Sequence, residues 1–266
     1  MIESVVLGLL QGFAEWLPIS SEGLLVLAQV NLFGETSIIH AVELSLFLHL
    51  GTFFAALIYF RKDVRRIILN LFSYSRIDNV SRREIRFYAV ATLVSGVLGF
   101  SLLFIVSRAL GEVSSFEFVG KIITGGIAAL LFITAGLGFL RKVKGTRTKE
   151  FLSLGDGIIL GIVQGCSALP GLSRSGTTVA AFLLRAFDDA SALRLSFIMS
   201  LPIVLGGNIV LQVSSFSVSA ELFMGLIAAF VSGFVTIHIL LRIARRVQFS
   251  WFVLFFAVLT VASLFL

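Results

Sequence analysis

The chain has 266 residues, 58% hydrophobic and only 14% charged, with a mean hydropathy of +1.03. That much apolar surface excludes a soluble globular domain, because 266 residues cannot bury it around one core. A net charge of +6 could invite an acidic partner, but no nucleic-acid motif, nucleotide-binding loop or soluble domain is visible, and the cations follow a membrane rule instead.

In chain order, the apolar stretch Val5 to Val30 comes first. No basic leader precedes it, so no cleavable signal peptide is expected and the stretch belongs to the mature protein. It is broken near its middle by Leu17-Pro18 and a Ser and Gly cluster, and each half is too short to span a bilayer. This pattern predicts a re-entrant hairpin, two short helices that enter the membrane and turn back, with a single span kinked at Pro18 as the alternative. Runs of about 20 largely uncharged residues, the length that crosses the hydrocarbon layer, follow at His40 to Phe60, Phe87 to Ser107 and Val119 to Leu140. The broken pattern then returns at Leu154 to Leu184 around Pro170, and three more runs complete the chain, Leu193 to Val213, Leu222 to Leu241 and Phe249 to Leu266. The predicted fold is an all-α integral membrane protein with six transmembrane helices and two re-entrant hairpins. It forms one membrane domain over residues 1–266.

Sixteen of the 21 Lys and Arg lie in Arg61 to Arg86, Arg141 to Lys149 and Arg242 to Arg246. With six spans and two non-crossing hairpins all three segments fall on one side, which the positive-inside rule makes cytoplasmic. Promoting one hairpin to a span would split them between the two faces. Both termini are then expected outside, and Arg61 to Arg86 is expected to be a solvated loop near the lipid. The single Cys166 can form no intrachain disulfide and reads as a small packing residue.

Self-similarity organises the rest. Gly8-Leu9-Leu10-Gln11-Gly12 recurs as Gly161-Ile162-Val163-Gln164-Gly165, and Leu17-Pro18-Ile19-Ser20-Ser21-Glu22-Gly23 as Leu169-Pro170-Gly171-Leu172-Ser173-Arg174-Ser175-Gly176. Leu44-Ser45-Leu46-Phe47 has its counterpart in Leu195-Ser196-Phe197-Ile198. Repeat one covers 1–145 and repeat two 151–266, each a hairpin followed by three spans, so the odd number of crossings inverts the second relative to the first. Such inverted repeats bring discontinuous helices together near the midplane to form a site.

After each Pro, a short Ser and Gly segment leads into an apolar run, which places Ser20 to Gly23 and Ser173 to Thr178 at helix N-termini. Unpaired backbone N–H groups and the positive dipole end favour an anion there. Ser20, Ser21, Ser173, Ser175, Thr177 and Thr178 add hydroxyl donors, and Gly23, Gly171 and Gly176 admit a ligand close to the backbone. An arginine in an apolar segment costs on the order of 2.5 to 3.5 kcal/mol on insertion scales and needs a partner or a function. Arg174 is such a residue, and its planar fork suits a phosphate. Glu15 sits in an equally apolar context with Gln11 one turn before it. A Glu15–Arg174 pair locking the two repeats is the plainer alternative, and both can hold together. Glu43, His40 and His49 could line the same cavity, the histidines more as hydrogen-bonded structural residues near a span end than as catalysts; His238 reads as packing and Lys121 as a snorkelling side chain.

Gln11-Gly-Phe-Ala-Glu15-Trp-Leu-Pro-Ile-Ser20-Ser21 together with Pro170-Gly-Leu-Ser-Arg174-Ser-Gly176 resembles the bacitracin-resistance family of undecaprenyl-diphosphate phosphatases. The resemblance covers nearly the whole chain, including Ser196 to Pro202 and Phe47 to Thr52. It implies an enzyme of the cell membrane that removes the terminal phosphate of a polyprenyl diphosphate, recycling the lipid carrier, at an outward-facing site with a divalent cation, Mg2+ or Ca2+. The family's (Glu/Gln)-x3-Glu motif falls on Gln11 and Glu15, and its Pro-Gly-x-Ser-Arg-Ser-Gly motif on Pro170 to Gly176. Many members continue as Ser-Ser-Thr-Gly-His, whereas this chain reads Ser20-Ser21-Glu22-Gly23-Leu24, so the histidine is missing and Glu22 is the nearest replacement.

On this resemblance Arg174 and the donors of Ser173, Ser175, Gly176 and Thr177 hold the terminal phosphoryl group, with Ser20 beside them. Glu15 binds the metal or acts as base, Gln11 orients the substrate, and Ser21 is the nucleophile unless a metal-bound water attacks directly. The expected partners are the polyprenyl diphosphate and membrane lipid, with a homo-oligomer possible. The competing class is a carrier or flippase of polyprenyl phosphate lipids, since inverted repeats serve transport equally.

Overall fold

In a computed structural model of the chain, the residues described are 1–35, 38–109, scattered positions between 125 and 139, 145–169, 172–212, 219–246 and 249–262. Among them the regular structure is helical, apart from one isolated bridge between Arg147 and Phe187. The helices are α1 (Ile2–Ala14), α2 (Ser21–Phe33), α3 (Ile38–Tyr59), α4 (Arg61–Phe72), α5 (Asn79–Ala109), α6 (Leu154–Cys166), α7 (Arg174–Leu184), α8 (Asp189–Gln212), α9 (Ala220–Arg246) and α10 (Phe249–Ala262), with a short 3₁₀ turn at Lys149–Phe151.

Four of these, α3, α5, α8 and α9, are long and apolar enough to cross a membrane. They coincide with four of the expected spans. The expected span Val119 to Leu140 lies largely outside the described residues, and α10 covers 14 residues of the last one. The two broken stretches are helix pairs, α1–α2 and α6–α7, of 11 to 13 residues per arm. In the first, α1 gives way after Ala14 to a turn that carries Pro18, which has no N–H with which to continue a helix, so a new helix has to be capped. Ser20 does so, its Oγ accepting the N–H of Gly23 at 3.2 Å, and α2 closes on Gly34 in the left-handed region at φ 69°. Ser173 caps α7 in the same way, accepting the N–H of Gly176 at 3.1 Å. Pro170 and Gly171 lie outside the described residues.

Small residues set the packing, as they do where helices cannot gain by burying apolar surface from lipid. A Cβ on Gly8 would sit 2.1 Å from the Gly225 carbonyl oxygen, and one on Gly12 1.9 Å from Ser232 Oγ, so α1 lies directly on α9. The matching glycines of the second hairpin, Gly161 and Gly165, meet Val94 and Leu98 of α5, with virtual Cβ contacts of 2.8 and 2.9 Å. The packing is reciprocal: each hairpin's first arm rests on a long helix of the other half.

Arg61 to Arg86 is not a simple loop. Most of it is helix α4 and the start of α5, joined by a turn whose Asp78 accepts the Ser81 N–H at 2.7 Å, a bond that holds this exposed carboxyl below its ordinary pKa. Ion pairs give this face its order: Arg66 bridges Asp63 and Glu84, and Arg194 of α8 reaches Asp63. Buried Asp156, which closes a capping box with Ser153 at the start of α6, is gripped by Arg147 and Arg185. Between the two ends the core is aromatic and aliphatic, with Trp16 against Phe197 at 4.8 Å and Phe182 between Phe87 and Phe187. Trp16 belongs to one hairpin and Phe182 to the other, so this core fixes the hairpin turns.

Candidate active site

The hairpin break in the first half frees the Leu17 carbonyl from helical pairing, and the second half satisfies it. Ser175 Oγ donates to that oxygen at 2.5 Å and Ser173 Oγ reaches it at 3.2 Å. Gly176 lies so close to Pro18 that an added Cβ would be 3.0 Å from the proline Cα. The two tips are thereby docked, and beside them opens a cavity of about 300 Å³. Glu15, Ser20, Ser21, Glu22, His49, Ser173 and Arg174 form its polar end. Ile19, Leu46, Phe100, Leu103 and Ile203 are among its apolar walls.

Glu15, 6% exposed, lies at the centre of the polar end. Arg174 Nη2 is paired with its Oε1. On Oε2 three donors converge: Gln11 Nε2 at 2.9 Å, Ser21 Oγ at 2.8 Å and His49 Nε2 at 3.1 Å. The other nitrogen of His49 lies 2.7 Å from the Ser45 carbonyl, which can only accept, so Nδ1 carries a proton and Nε2 faces the carboxylate. The ring is thus placed to share a proton with Glu15 next to the Ser21 hydroxyl.

Arg174 is only half committed. Its Nη1 is buried with no partner among the described residues. The Ser173 hydroxyl and carbonyl take the amides of Gly176 and Thr177, which leaves those of Arg174 and Ser175 without a helical acceptor. A guanidinium arm and free amides at one helix start are a receptor for an anion with several oxygens.

Most of the expected residues meet here. Glu15, Ser20, Ser21, Glu22, Ser173 and Arg174 line the cavity, and Gln11 stands behind Glu15. Ser175, Gly176 and Thr177 do not line it: Ser175 and Gly176 join the tips, and the Thr177 hydroxyl is spent on the carbonyls of Ser173 and Arg174. Thr178 bonds to Ser196 at 2.6 Å, and Glu43 is absent from the cavity wall. The side chain of His40 and all of Lys121 lie outside the described residues, and His238 meets Tyr59 far from the tips. His49, expected to be structural, is the residue sequence reasoning undervalued; the signal was an ionisable group in the middle of an apolar span. Gln164 and Asn208 also line the cavity, and of these only Gln164 had been marked, as part of the repeat.

The profile described as Bacitracin resistance protein BacA matches residues 4–262. A protein of Methanococcoides burtonii named undecaprenyl-diphosphatase is 39% identical over 99% of this chain and 98% of its own. Proteins with the same name from Methanothrix thermoacetophila, 34% identical over 98% of this chain and 96% of theirs, and Haloarcula marismortui, 35% identical over 94% and 92%, are similar along nearly their full length. With the motif residues assembled at the paired hairpin tips and the match running from end to end, the chain belongs to the BacA bacitracin resistance protein family.

Proposed function

We propose that the chain is a membrane-embedded undecaprenyl-diphosphatase, hydrolysing the lipid diphosphate to the monophosphate. The observation that carries this reading is the buried Nη1 of Arg174, unpaired among the described residues, at a helix start in a cavity that also has apolar walls. Such a site accepts a diphosphate at one end and an isoprenoid at the other. Its relatives carry the corresponding name.

In the mechanism the terminal phosphoryl group rests on Arg174 and the amides of Arg174 and Ser175, which stabilise charge as it develops on the equatorial oxygens. Ser21 Oγ, 2.8 Å from Glu15 Oε2, gives its proton to that carboxylate as it attacks phosphorus. The bond from phosphorus to the bridging oxygen breaks and the lipid monophosphate leaves carrying the proton, which Glu15 and His49 share and return to its oxygen. Water then attacks the phosphoserine, Glu15 takes the water's proton and gives it to Ser21 Oγ as the phosphorus–serine oxygen bond breaks, and inorganic phosphate is released. Gln11 holds the carboxylate in line, and Ser20 and Ser173 hold the helix starts. Gly207, where an added Cβ meets nothing within 4 Å among the described residues, and Gly96, where it meets Ile203 Cδ1 at 3.9 Å, line the cavity and leave a slot for the hydrocarbon chain.

The family resemblance implies a divalent cation, which when bound would neutralise charge on phosphate oxygens. Glu15 is a poor ligand for it, because both carboxylate oxygens already face donors, one of them a guanidinium. Among the described residues no three His, Cys, Asp or Glu are grouped to share a metal. Among the described residues the Glu22 carboxylate lines the cavity with no donor on it, and it is the group that would hold such a cation.

The topology we infer keeps six spans, two re-entrant hairpins and inverted repeats 1–145 and 151–266, supported by the reciprocal packing of α1 on α9 and α6 on α5. It sets the basic segments in the cytoplasm and the site toward the outer side of the cell membrane. Phosphate release from purified protein given undecaprenyl diphosphate tests the function. Steady release supports hydrolysis; binding or translocation of the lipid with no release would make the protein a carrier instead.

A further inference from the structure

The cations at the ends of α3 and α9 have no part in the phosphatase site. Arg61 and Lys62 follow the span α3 directly, Arg242 and Arg245 close α9, and Arg194 lies near the start of α8. Where these elements meet there is a crevice of about 760 Å³, lined by Arg61, Lys62, Asp63, Arg194 and Arg245. A neighbouring cavity of about 390 Å³ shares Tyr59 and Arg245 with it and adds Arg242. The charges do not balance. Asp63 is the only carboxylate among the described residues that line the crevice, and Arg66 and Arg194 already hold it. Among the described residues no carboxylate pairs with Arg61, Lys62, Arg242 or Arg245. Elsewhere buried carboxylates match the arginines: Glu84 holds Arg66, and Asp156 holds Arg147 and Arg185. A surplus of cations collected in one concave site calls for an anion.

The walls say which kind of anion. The Tyr59 ring packs edge-on against Phe234 at 5.3 Å and its hydroxyl lies 3.2 Å from His238 Nδ1, which pins the end of α3 to α9. Ile58, Phe60 and Phe234 also line the crevice, and Ile58 is 41% exposed. On α3 Ile58 comes before Arg61, and on α9 Phe234 comes about three turns before Arg245, so along both spans the apolar lining lies deeper than the charges. A free phosphate would use the cations and gain nothing from these side chains. A phospholipid uses both, because its phosphate sits at the interface, where span-terminal Arg and Lys carry their charge, and its acyl chains run along the spans.

We propose that this crevice binds the phosphate headgroup of an anionic phospholipid, with the acyl chains along α3 and α9. The inference goes beyond the phosphatase reading and does not depend on it; the inferred topology enters only to make the leaflet that supplies the lipid the cytoplasmic one. Native mass spectrometry of the full chain in detergent, titrated with dioleoylphosphatidylglycerol, dioleoylphosphatidylcholine or inorganic phosphate, reads the site. Phosphatidylglycerol should form a saturable adduct about tenfold or more tighter than phosphatidylcholine, and millimolar phosphate should not displace it. Arg61→Gln combined with Arg245→Gln should weaken that adduct about tenfold or more, whereas Arg61→Lys with Arg245→Lys should keep it. Arg65→Gln with Arg83→Gln removes the same charge from exposed positions off the crevice and should leave binding intact. Arg174→Ala should leave it intact too, since Arg174 belongs to the other cavity. Melting temperatures without lipid separate a lost site from a lost fold. Equal affinity for the two lipids, equal weakening by the two glutamine pairs, or loss of binding in Arg174→Ala would each overturn the proposal, assigning the lipid to bare hydrocarbon contact, to diffuse charge or to the phosphatase cavity. Displacement by phosphate would make this a free-anion site and overturn it as well. The expected pattern in a protein that releases no phosphate would overturn the function and leave the lipid site standing.

Discussion

At the scale of single residues the site turns on which atoms meet Glu15 Oε2. Ser21, Gln11 and His49 all donate to that oxygen, so the carboxylate is placed as a proton acceptor for a hydroxyl that is about to attack. Removing the Ser21 hydroxyl should lower hydrolysis by about 10²–10⁴-fold while leaving the melting temperature nearly unchanged, since its one hydrogen bond is partly exposed to the cavity. Near-normal phosphate release by Ser21→Ala would assign the attack to water. His49→Ala should lower turnover as well, and His49→Gln should recover stability without recovering rate, because an amide keeps the hydrogen bond but passes no proton. Equal rates for wild type and His49→Gln would reduce His49 to a structural donor. Much of this was legible in the sequence: Glu15 and Arg174 stand out as charges in apolar stretches, and the Ser clusters follow the breaks. What could not be read was convergence. Nothing local to Phe47 to Thr52 says that the ring of His49 faces Glu15, because that depends on where α3 lies against the hairpin.

At the scale of elements, the hairpin arms are recognisable from Pro18, Pro170 and the serine caps because these act within a few residues. The division of labour at the second tip is not, since it depends on the first tip. Ser175 and Gly176 match the binding motif in sequence yet serve as the joint, because the Leu17 carbonyl freed by Pro18 needs their hydroxyl and their lack of bulk. Helix packing gives two further predictions. Gly12→Ala drives a Cβ into the α9 backbone and should destabilise the protein by about 1–3 kcal/mol, visible as a lower melting temperature in detergent. A mutant as stable as wild type would show that α1 does not rest on α9. A Cβ at Gly207 meets no heavy atom of the described residues within 4 Å, so Gly207→Leu should fold normally and fill the slot. Hydrolysis of a long-chain polyprenyl diphosphate should then fall about tenfold or more relative to a short-chain analogue. An unchanged ratio would place the hydrocarbon elsewhere.

At the scale of the molecule, the runs of about 20 apolar residues foretold the four helices long and apolar enough to cross a membrane, because the bilayer sets both length and composition. They missed the helix and ion pairs within Arg61 to Arg86, where Asp63 and Glu84 order the basic segment against α8. Six spans with two non-crossing hairpins predict that cysteines placed at Ser75 and Ala262 in a Cys166→Ala background label from opposite sides; labelling of both by one impermeant reagent in intact cells would exclude that topology. The site draws on both halves of the chain. Glu15 and Arg174 come from different halves, and their pairing ties the halves together while the other arm of the guanidinium, Nη1, stays buried without a partner among the described residues. These roles separate experimentally. Hydrolysis of undecaprenyl diphosphate and melting temperature, measured together on wild type, Arg174→Ala and Arg174→Lys, test the central claim most directly. The account predicts folded variants with phosphate release reduced by about 10²–10³-fold or more, the lysine failing for want of the bidentate fork. Normal hydrolysis by Arg174→Ala would contradict it.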